Sequence, residues 1–339
     1  MYFGTGDGRV IAREVNTGLT RWTTTAGNTR VEGYRLLARS GVVVVPISFE
    51  TVGLDAQTGA VLWRYEAPRD TVNNRNNPGY VGATRPDADD ATAYIPAWGA
   101  SVSAVDLRTG AVRWVWQPGR IEGDTAVSGV FRSGSMGVSV SGDTVFATVW
   151  HFTTRTGLTA DPWVVALDKT AGRELWRAQV PHAGSVVTIE AAPVIYQNLV
   201  MVRMLKGPVF AIDRATRQVA WQFDAGGQIS TISGLELHGD TVYFDGGDQR
   251  IYALRARDGA VIWSSPILGQ INRDILATER RITFTNGQSL FVLNRATGAP
   301  VANTKQPRTH DSFFASAATY SNGAIFVTVG DGAWAFEEP

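Results

Sequence analysis

Charged side chains stand just before or within the first apolar strands of several sequence units, where they could bind a ligand. Carboxylates there could coordinate Ca²⁺ through their oxygens, and guanidinium groups could pair with an anionic ligand. More often such residues pair with one another in solvated ion pairs that contribute little to stability. Both interpretations stay open. The candidates are Glu32, Arg132, Glu190, Arg273 and Asp274, with Asp311 nearby.

An aromatic cluster between residues 150 and 163 could bind a protein partner. It consists of Trp150, His151, Phe152 and Trp163. Large aromatic side chains dominate the binding energy of many protein interfaces. A segment that buries its own aromatic rings is the alternative.

A second segment, residues 69–80, is rich in side-chain amides and turn-forming residues. Asn74 and Arg75 lie at its middle and could hold a polar partner. Asn side chains also commonly bond to their own backbone in turns, so a self-capped loop is the alternative.

Sequence motifs for metal, nucleophilic and phosphate chemistry are absent. The four histidines have no partner at i,i+3 or i,i+4 spacing, and no HExxH, GxSxG or GxxxxGK pattern occurs. The chain contains no cysteine, which excludes disulfides, thiolate zinc sites and a lipidated N-terminal Cys in this sequence.

Composition excludes several broad classes of protein. The 339 residues carry a formal net charge of zero and include 36 Gly and 11 Trp. Disordered chains have low hydrophobicity and high net charge, and nucleic-acid surfaces need clustered Lys and Arg. No apolar run reaches the ~18 residues of a membrane span, and the N-terminus has no signal-peptide pattern.

One sequence motif recurs along the chain and predicts the elements that position these residues. It consists of an acidic or polar residue, two variable residues, Thr-Gly or a variant, three further residues and Trp. Gly at this point favours a hairpin turn because it tolerates positive φ. We expect each Trp to pack against the turn of an adjacent unit. The six copies end at Trp22, Trp63, Trp114, Trp176, Trp221 and Trp263, and residues 294–302 form a seventh copy without Trp.

A stretch rich in strand-forming residues precedes each copy of the motif. Branched and aromatic residues bounded by Gly or Asn are typical of strands. A strand with alternating apolar residues follows, as at 164–169 and 251–256. The β-rich stretches cover residues 43–49, 92–99, 144–151, 199–205, 241–247 and 281–287.

These units predict an all-β fold, an eight-bladed β-propeller of four-stranded antiparallel blades that forms a single domain over residues 1–339. Residues 2–4 and 324–330 supply the second strands of the first and last units. The first blade should lack its innermost strand and the last its outermost. We expect a preceding N-terminal segment of a longer precursor to fill both gaps in the ring.

Three long insertions fall on one face of this fold. In an antiparallel blade, the segment leading into the first strand and the turn between the second and third strands lie on the same side, which we call the loop face. The insertions at 66–77, 117–130 and 150–162 all belong there. Long loops on a rigid scaffold often carry binding sites, so the loop face is the predicted functional surface.

The motif D-x-x-T-G-x-x-x-W, preceded by strands such as IYAL, resembles the tryptophan-docking repeat of the PQQ-like propeller superfamily. Its copies cover almost the whole chain. The resemblance implies one of two activities. Quinoprotein alcohol dehydrogenases hold PQQ and Ca²⁺ at the ring centre, whereas BamB-type members are non-enzymatic scaffolds of the bacterial cell envelope. The dehydrogenases typically have an adjacent Cys-Cys pair and longer chains, and this sequence has neither.

We therefore expect a non-catalytic scaffold that binds other proteins of a cell-envelope or extracellular assembly. It should work outside the cytoplasm, directed there by a targeting segment not present in this sequence. No catalytic residue, cofactor or nucleic-acid partner is expected. The alternative is a PQQ- and Ca²⁺-dependent quinoprotein dehydrogenase, with the charged candidates at the channel mouth as ligands.

Overall fold

A computed structural model describes most of the chain. Its contacts divide the chain into two compact units, Met1–Pro193 (unit 1) and Val194–Pro339 (unit 2). The single-domain organisation stays a prediction. The described residues are 1–29, 31, 36–69, 80–82, 84–98, 101–118, 133–152, 160–182, 189, 191–205, 207–226, 234–267, 271, 274–286, 289–305, 318–321, 323–329 and 332–338.

Unit 1 contains four antiparallel sheets, numbered 1 to 4 in chain order. Sheet 1 comprises β1 (Tyr2–Gly4), β2 (Arg9–Arg13) and β3 (Thr20–Thr25). Sheet 2 comprises β4 (Leu37–Arg39), β5 (Val42–Ile47), β6 (Glu50–Asp55) and β7 (Val61–Glu66). Sheet 3 comprises β8 (Asp87–Ala88), β9 (Thr92–Ala97), β10 (Ser101–Asp106) and β11 (Val112–Trp116). Sheet 4 comprises β12 (Ser133–Ser141), β13 (Thr144–Phe152), β14 (Ala160–Asp168) and β15 (Glu174–Gln179).

Unit 2 contains sheets 5 to 8. Sheet 5 comprises β16 (Val194–Tyr196), β17 (Leu199–Arg203), β18 (Val209–Asp213) and β19 (Val219–Phe223). Sheet 6 comprises β20 (Glu236–His238), β21 (Thr241–Asp245), β22 (Arg250–Arg255) and β23 (Val261–Pro266). Sheet 7 comprises β24 (Leu276–Ala277), β25 (Arg281–Thr285), β26 (Ser289–Asn294) and β27 (Pro300–Lys305). Sheet 8 comprises β28 (Thr319–Ser321), β29 (Ala324–Val329) and β30 (Gly332–Glu337).

The predicted blade pattern is confirmed in the described residues. Strands pair in sequence order in every sheet, six sheets have four strands, and sheets 1 and 8 have three. In sheet 1, β1 pairs with β2 as a second strand pairs with a third, so the first strand is the missing one. Sheet 8 has the first three strands and lacks the fourth.

Second strands form the centre of the cores because both of their faces are covered by neighbouring sheets. All six residues of β5 are buried, and so are all six of β9. One core cluster joins Val42 and Val44 of sheet 2 with Ala93 and Ile95 of sheet 3. Burial on both faces is why these strands are continuously apolar instead of alternating.

Within each unit, recurring tryptophans dock onto the next sheet along the chain. The indole Nε1 of Trp63 donates a hydrogen bond of 2.8 Å to the carbonyl oxygen of Leu107. Its ring lies 2.7 Å from the point where a Cβ on Gly110 would stand. The same arrangement joins Trp22 to Gly59, Trp114 to Gly172, Trp221 to Gly259 and Trp263 to Gly298.

The turn that receives Trp22 is built by its acidic residue, Asp55. The Asp55 Oδ1 atom accepts hydrogen bonds from the backbone N–H of Gln57 (3.0 Å) and Thr58 (2.8 Å). The bond from the Thr58 backbone is the main cause that lowers the pKa of Asp55. Gly59 follows with φ of 75°, a conformation that costs an L-residue energy.

We predict that Gly59→Ala destabilises the protein more than Gly18→Ala. Both glycines have positive φ, 75° and 70°, so both substitutions cost about 1 kcal/mol of backbone strain. Only the Gly59 Cβ would collide with an indole, whereas a Cβ on Gly18 would meet nothing within 4 Å. Overpacking should add about 1–3 kcal/mol. Urea unfolding of the two variants measures the difference, and equal losses would refute docking as its cause.

Candidate functional site

The structure describes only part of the predicted loop-face residues. Much of the three insertions lies outside the described residues, and so do most of the charged and amide candidates. Asp274, Trp150 and Trp163 are described in full, and the backbones of His151 and Phe152 belong to β13. The candidates outside the described residues are Glu32, Asn74, Arg75, Arg132, Glu190, Arg273 and Asp311.

The insertion at 150–162 is in part an extension of strands, which corrects the expectation of a loop. β12, β13 and β14 each have nine residues, whereas strands such as β5 and β6 have six. Continuous pairing of β13 with β14 reaches from Thr144 and Asp168 to Phe152 and Ala160. The three extra residues project about 10 Å. We call this extension, residues 150–152 and 160–162, the arm.

Trp150 lies inside the base of the arm. It is 6% exposed and pairs in register with Gly134 and Pro162. The indole therefore has little contact with solvent. This geometry matches the alternative of a segment that buries its own aromatic ring, as far as Trp150 is concerned.

Polar contacts brace the outer side of the arm. The Val180 N–H donates to the Pro162 carbonyl at 2.9 Å, and His182 Nε2 lies 2.9 Å from Asp161 Oδ1. The Arg177 guanidinium lies 6.0 Å from the centre of the Trp163 ring. Such contacts hold the arm in one position, which lowers the entropy cost of binding through it.

A second aromatic group, which we call the aromatic triad, lies on the loop face of sheets 2 and 3. It consists of Phe49, Tyr80 and Trp98. The Phe49 and Tyr80 rings meet edge-on at 5.5 Å, and the Tyr80 and Trp98 rings at 5.4 Å. Phe49 is 44% exposed. Edge-to-face packing of neighbouring rings is favourable, so the triad is one continuous aromatic surface with an exposed end.

The backbone around the triad is held tightly. Ser48, at the β5–β6 turn, has φ of 49°, a strained value for a residue other than Gly. Its carbonyl accepts the N–H groups of Val81 (2.7 Å) and Gly82 (3.0 Å). A Cβ on Gly82 would lie 2.7 Å from the Tyr80 hydroxyl and 2.9 Å from the Ser48 nitrogen. The turn therefore presents Phe49 in a fixed position.

Sequence reasoning missed the triad because its members are far apart in the chain. A signal was present in two adjacent repeats. The second strands of sheets 2 and 3 contain Pro46 and Pro96, and each is followed within three residues by an aromatic residue, Phe49 and Trp98. The third ring comes from a segment whose path no repeat predicts.

A buried charged cluster lies at the loop-face end of sheets 5, 6 and 7. Arg203, Asp245 and Asp274 are 4%, 3% and 5% exposed. Arg203 ends β17 and donates a short hydrogen bond to the Asp245 carbonyl oxygen. Its guanidinium carbon lies 5.7 Å from the centre of the Phe244 ring. Asp274 accepts the Gly234 N–H at 2.9 Å.

Burial changes the pKa of two members of this cluster. Desolvation lowers the pKa of Arg203 to about 10, against the opposing effect of the charges of Asp245 and Asp274. Desolvation also raises the pKa of Asp245, opposed by the backbone N–H of Gly247 and by the charge of Arg203. The opposite charges of the neighbouring groups thus offset part of the desolvation cost of each buried charge.

In the described part of the chain, no three His, Asp or Glu side chains come close enough to hold a metal ion. Asp245 and Asp274 already accept backbone hydrogen bonds and face the Arg203 charge. The Arg203 guanidinium supplies a positive charge beside these two carboxylates.

We predict that Arg203→Met strongly destabilises the protein and that Asp245→Asn on that background restores part of the loss. Removing one partner of a buried ion pair costs about 3–5 kcal/mol. Without Arg203 the pKa of Asp245 rises further above its unfolded value, so the folded state of R203M gains stability below that pKa and loses it as pH rises. Urea unfolding at acidic and neutral pH measures both effects. A pH-independent loss would contradict the pairing.

Comparisons with known proteins find relatives with this architecture. The family model described as outer membrane protein assembly factor BamB matches residues 1–149 and 98–337. BamB from Moraxella catarrhalis superposes with a TM-score of 0.72 at 16% identity over 99% of this chain and 92% of that chain. A europium-containing methanol dehydrogenase superposes with a TM-score of 0.75 at 12% identity over 97% of this chain and 80% of that chain. At such identities these likenesses establish the fold, an eight-bladed β-propeller.

One relative is named as an enzyme. The tetrathionate hydrolase of Acidithiobacillus ferrooxidans is 20% identical over 274 residues, which are 74% of this chain. The match covers 49% of that protein, so the chain spans about half the length of the curated relative it matches. In the residues described here, no helix is long and apolar enough to cross a membrane.

Proposed function

Because the chain belongs to the family described as outer membrane protein assembly factor BamB, we propose that it is a non-catalytic scaffold that binds another protein of a bacterial cell-envelope assembly. The observation that carries this proposal is the aromatic triad on the loop face, whose exposed end is Phe49. The family description refers to the assembly of outer membrane proteins, which supports our proposal of an extracytoplasmic location.

The triad has the properties of an interface hot spot. Hot spots are rigid aromatic groups surrounded by residues that exclude water. The Phe49 ring packs edge-on against Tyr80, and the backbone of the turn that carries it is held by hydrogen bonds to the Ser48 carbonyl. Little side-chain entropy would be lost when a partner covers it.

Charged groups beside the triad supply a polar rim. Arg64 Nη1 lies 2.9 Å from Glu50 Oε2 and 2.8 Å from the Ala26 carbonyl oxygen. The hydroxyls of Thr29 and Ser48 are 2.7 Å apart and exposed. An apolar centre with a hydrogen-bonding rim is the usual composition of a protein-protein interface. The arm, which includes His151 and Phe152, is proposed as a second part of this surface, together with the adjacent Trp163.

The charged cluster in unit 2 favours a structural role over cofactor binding. Asp274, one of the candidates for ligand binding, is buried and hydrogen-bonded to the backbone that leads into sheet 6. A ligand would have to displace these bonds. Glu32, Arg132, Glu190 and Arg273 stay untested candidates for the quinoprotein alternative.

We predict that Phe49→Ser weakens capture of the native partner by about 30-fold, as loss of a ~2 kcal/mol hot spot would. The measurement is quantitative cross-linking or pull-down from an envelope extract, with melting temperature as a folding check. Val112→Ser is the matched control because Val112 is also an exposed apolar residue, 54% exposed, but lies on the outer strand β11. Equal recovery with the two variants would remove the triad from the interface.

The quinoprotein alternative is tested by adding PQQ and Ca²⁺ to the purified protein. A ligand that binds the native state must raise the melting temperature by mass action, by an amount equivalent to about 2.7 kcal/mol at a hundredfold excess over Kd. We expect no shift and no cofactor absorbance. A saturable shift would contradict the scaffold proposal and leave the hot-spot test to decide whether partner binding coexists with it.

A further inference from the structure

Two serines of sheet 2 have a backbone conformation that normally favours glycine. Ser40, in the turn before β5, has φ of 45°, and Ser48, in the turn after it, has φ of 49°. A positive φ is strained in a residue with a Cβ, and it persists only where the surrounding structure holds it. Each serine is held by a hydrogen bond of its hydroxyl group to another side chain. Only Ser48 lies next to Phe49, the exposed end of the aromatic triad.

The hydroxyl group of Ser48 contacts Thr29, which follows sheet 1. The Ser48 Oγ and Thr29 Oγ1 atoms lie 2.7 Å apart, so one hydroxyl donates a hydrogen bond to the other. The segment that carries Thr29 is fixed to the β1–β2 turn, because the Ala26 and Gly27 N–H groups donate to the Gly8 carbonyl oxygen at 2.9 and 3.2 Å. A Cβ on Gly8 would stand 2.7 Å from the Thr29 carbonyl oxygen, so the turn and the segment are in close contact. Thr29 therefore gives the Ser48 hydroxyl a fixed partner.

The backbone of the same turn is tied to sheet 3. The Ser48 carbonyl oxygen accepts the backbone N–H groups of the segment 81–82. In that segment's neighbour, the Tyr80 carbonyl oxygen accepts the Trp98 N–H at 2.9 Å. Ser48 thus joins contacts from both neighbouring sheets: its hydroxyl reaches the segment after sheet 1, and its carbonyl reaches the segment before sheet 3. Phe49, which carries the exposed ring, follows directly in the chain.

We propose that Ser48 and Thr29 are positioning residues of the loop-face binding site. Their hydroxyl contact keeps the turn at positive φ, and the turn in this conformation holds the Phe49 ring against Tyr80. Glycine would adopt the same φ without strain, but it has no hydroxyl group and leaves the backbone more freedom. Serine combines the required conformation with an anchor. This inference rests on the proposed function, since a ring that is already ordered loses less entropy when a partner covers it.

Two substitutions at Thr29 test the anchor on the purified protein, without a partner. Thr29→Val keeps the shape of the side chain but removes its hydroxyl group, whereas Thr29→Ser keeps the hydroxyl group. In Thr29→Val we expect the backbone NMR order parameter of Phe49 to fall from about 0.85, the value of rigid backbone, to below about 0.6. Thr29→Ser should retain an ordered Phe49. Ser48→Ala removes the other hydroxyl group and should behave like Thr29→Val.

The same variants should bind the partner more weakly. Ordering one mobile side chain on binding costs the equivalent of about a two- to tenfold change in Kd. We expect a loss of this size in Thr29→Val and in Ser48→Ala, measured with the partner that the wild type recovers from the envelope extract. Because the two hydroxyl groups form one contact, the double variant should lose no more than either single variant. Thr29→Ser should recover most of the wild-type affinity.

Ser40→Ala is the matched control. Ser40 has nearly the same φ as Ser48, and its hydroxyl likewise donates to another side chain, Asp90 Oδ1, at 2.8 Å. It lies at the opposite end of β5, away from the loop face. The substitution therefore removes the same kind of bond from the same kind of turn. We expect it to leave the order parameter of Phe49 and the recovery of the partner unchanged, whatever its effect on the melting temperature.

Three results would overturn the proposal. The first is an ordered Phe49 or normal partner binding in Thr29→Val and Ser48→Ala. The second is a double variant in which the two losses multiply, because the hydroxyl groups would then act separately. The third is an equal loss of binding in Ser40→Ala, because general destabilisation would explain it.

The Phe49→Ser variant separates the positioning role from the proposed function. If Phe49→Ser binds the partner normally, the proposed interface is wrong, and the positioning role is wrong with it. If Phe49→Ser binds weakly while Thr29→Val and Ser48→Ala bind like the wild type, only the positioning role is wrong.

Discussion

The docking of an indole against a glycine turn is the interaction on which the other features depend. Trp63 uses its ring to cover Gly53 in its own sheet and Gly110 in the next, while its nitrogen bonds to Leu107. One side chain thus sets strand pairing, sheet spacing and turn position together. Because this contact recurs, each docked sheet restrains the position of the next one. The segments of the loop face are therefore attached to a rigid scaffold.

The loop face has different chemistry in the two units. In unit 1, Pro46 and Pro96 lie near the ends of buried second strands, and aromatic residues follow them. In unit 2, the equivalent positions hold Arg203 and Asp245, which form a buried charged cluster with Asp274. Buried ion pairs are costly to desolvate and seldom add net stability. In unit 2, each charge lies in the interior beside oppositely charged groups from neighbouring sheets.

Stiffness and exposure together make the aromatic triad a better binding candidate than the segments chosen from composition. Aromatic content alone pointed to residues 150–163, yet Trp150 is only 6% exposed. Phe49 stands alone in sequence but is exposed in space beside Tyr80 and Trp98. Binding energy depends on which ring surface is open to a partner and how freely it moves, and composition reports neither quantity.

The sequence by itself determined the eight repeated units, their strand order, the turns and the incomplete first and last sheets. These features depend on local preferences that recur, such as Gly18 or Gly59 at positive φ and apolar runs in second strands. Only the tertiary structure decided which side chains meet. Ser48 contacts Val81 and Arg203 contacts Asp245 because sheet packing joins residues that are distant in the chain. Such contacts depend on register and spacing between sheets, which no single repeat encodes.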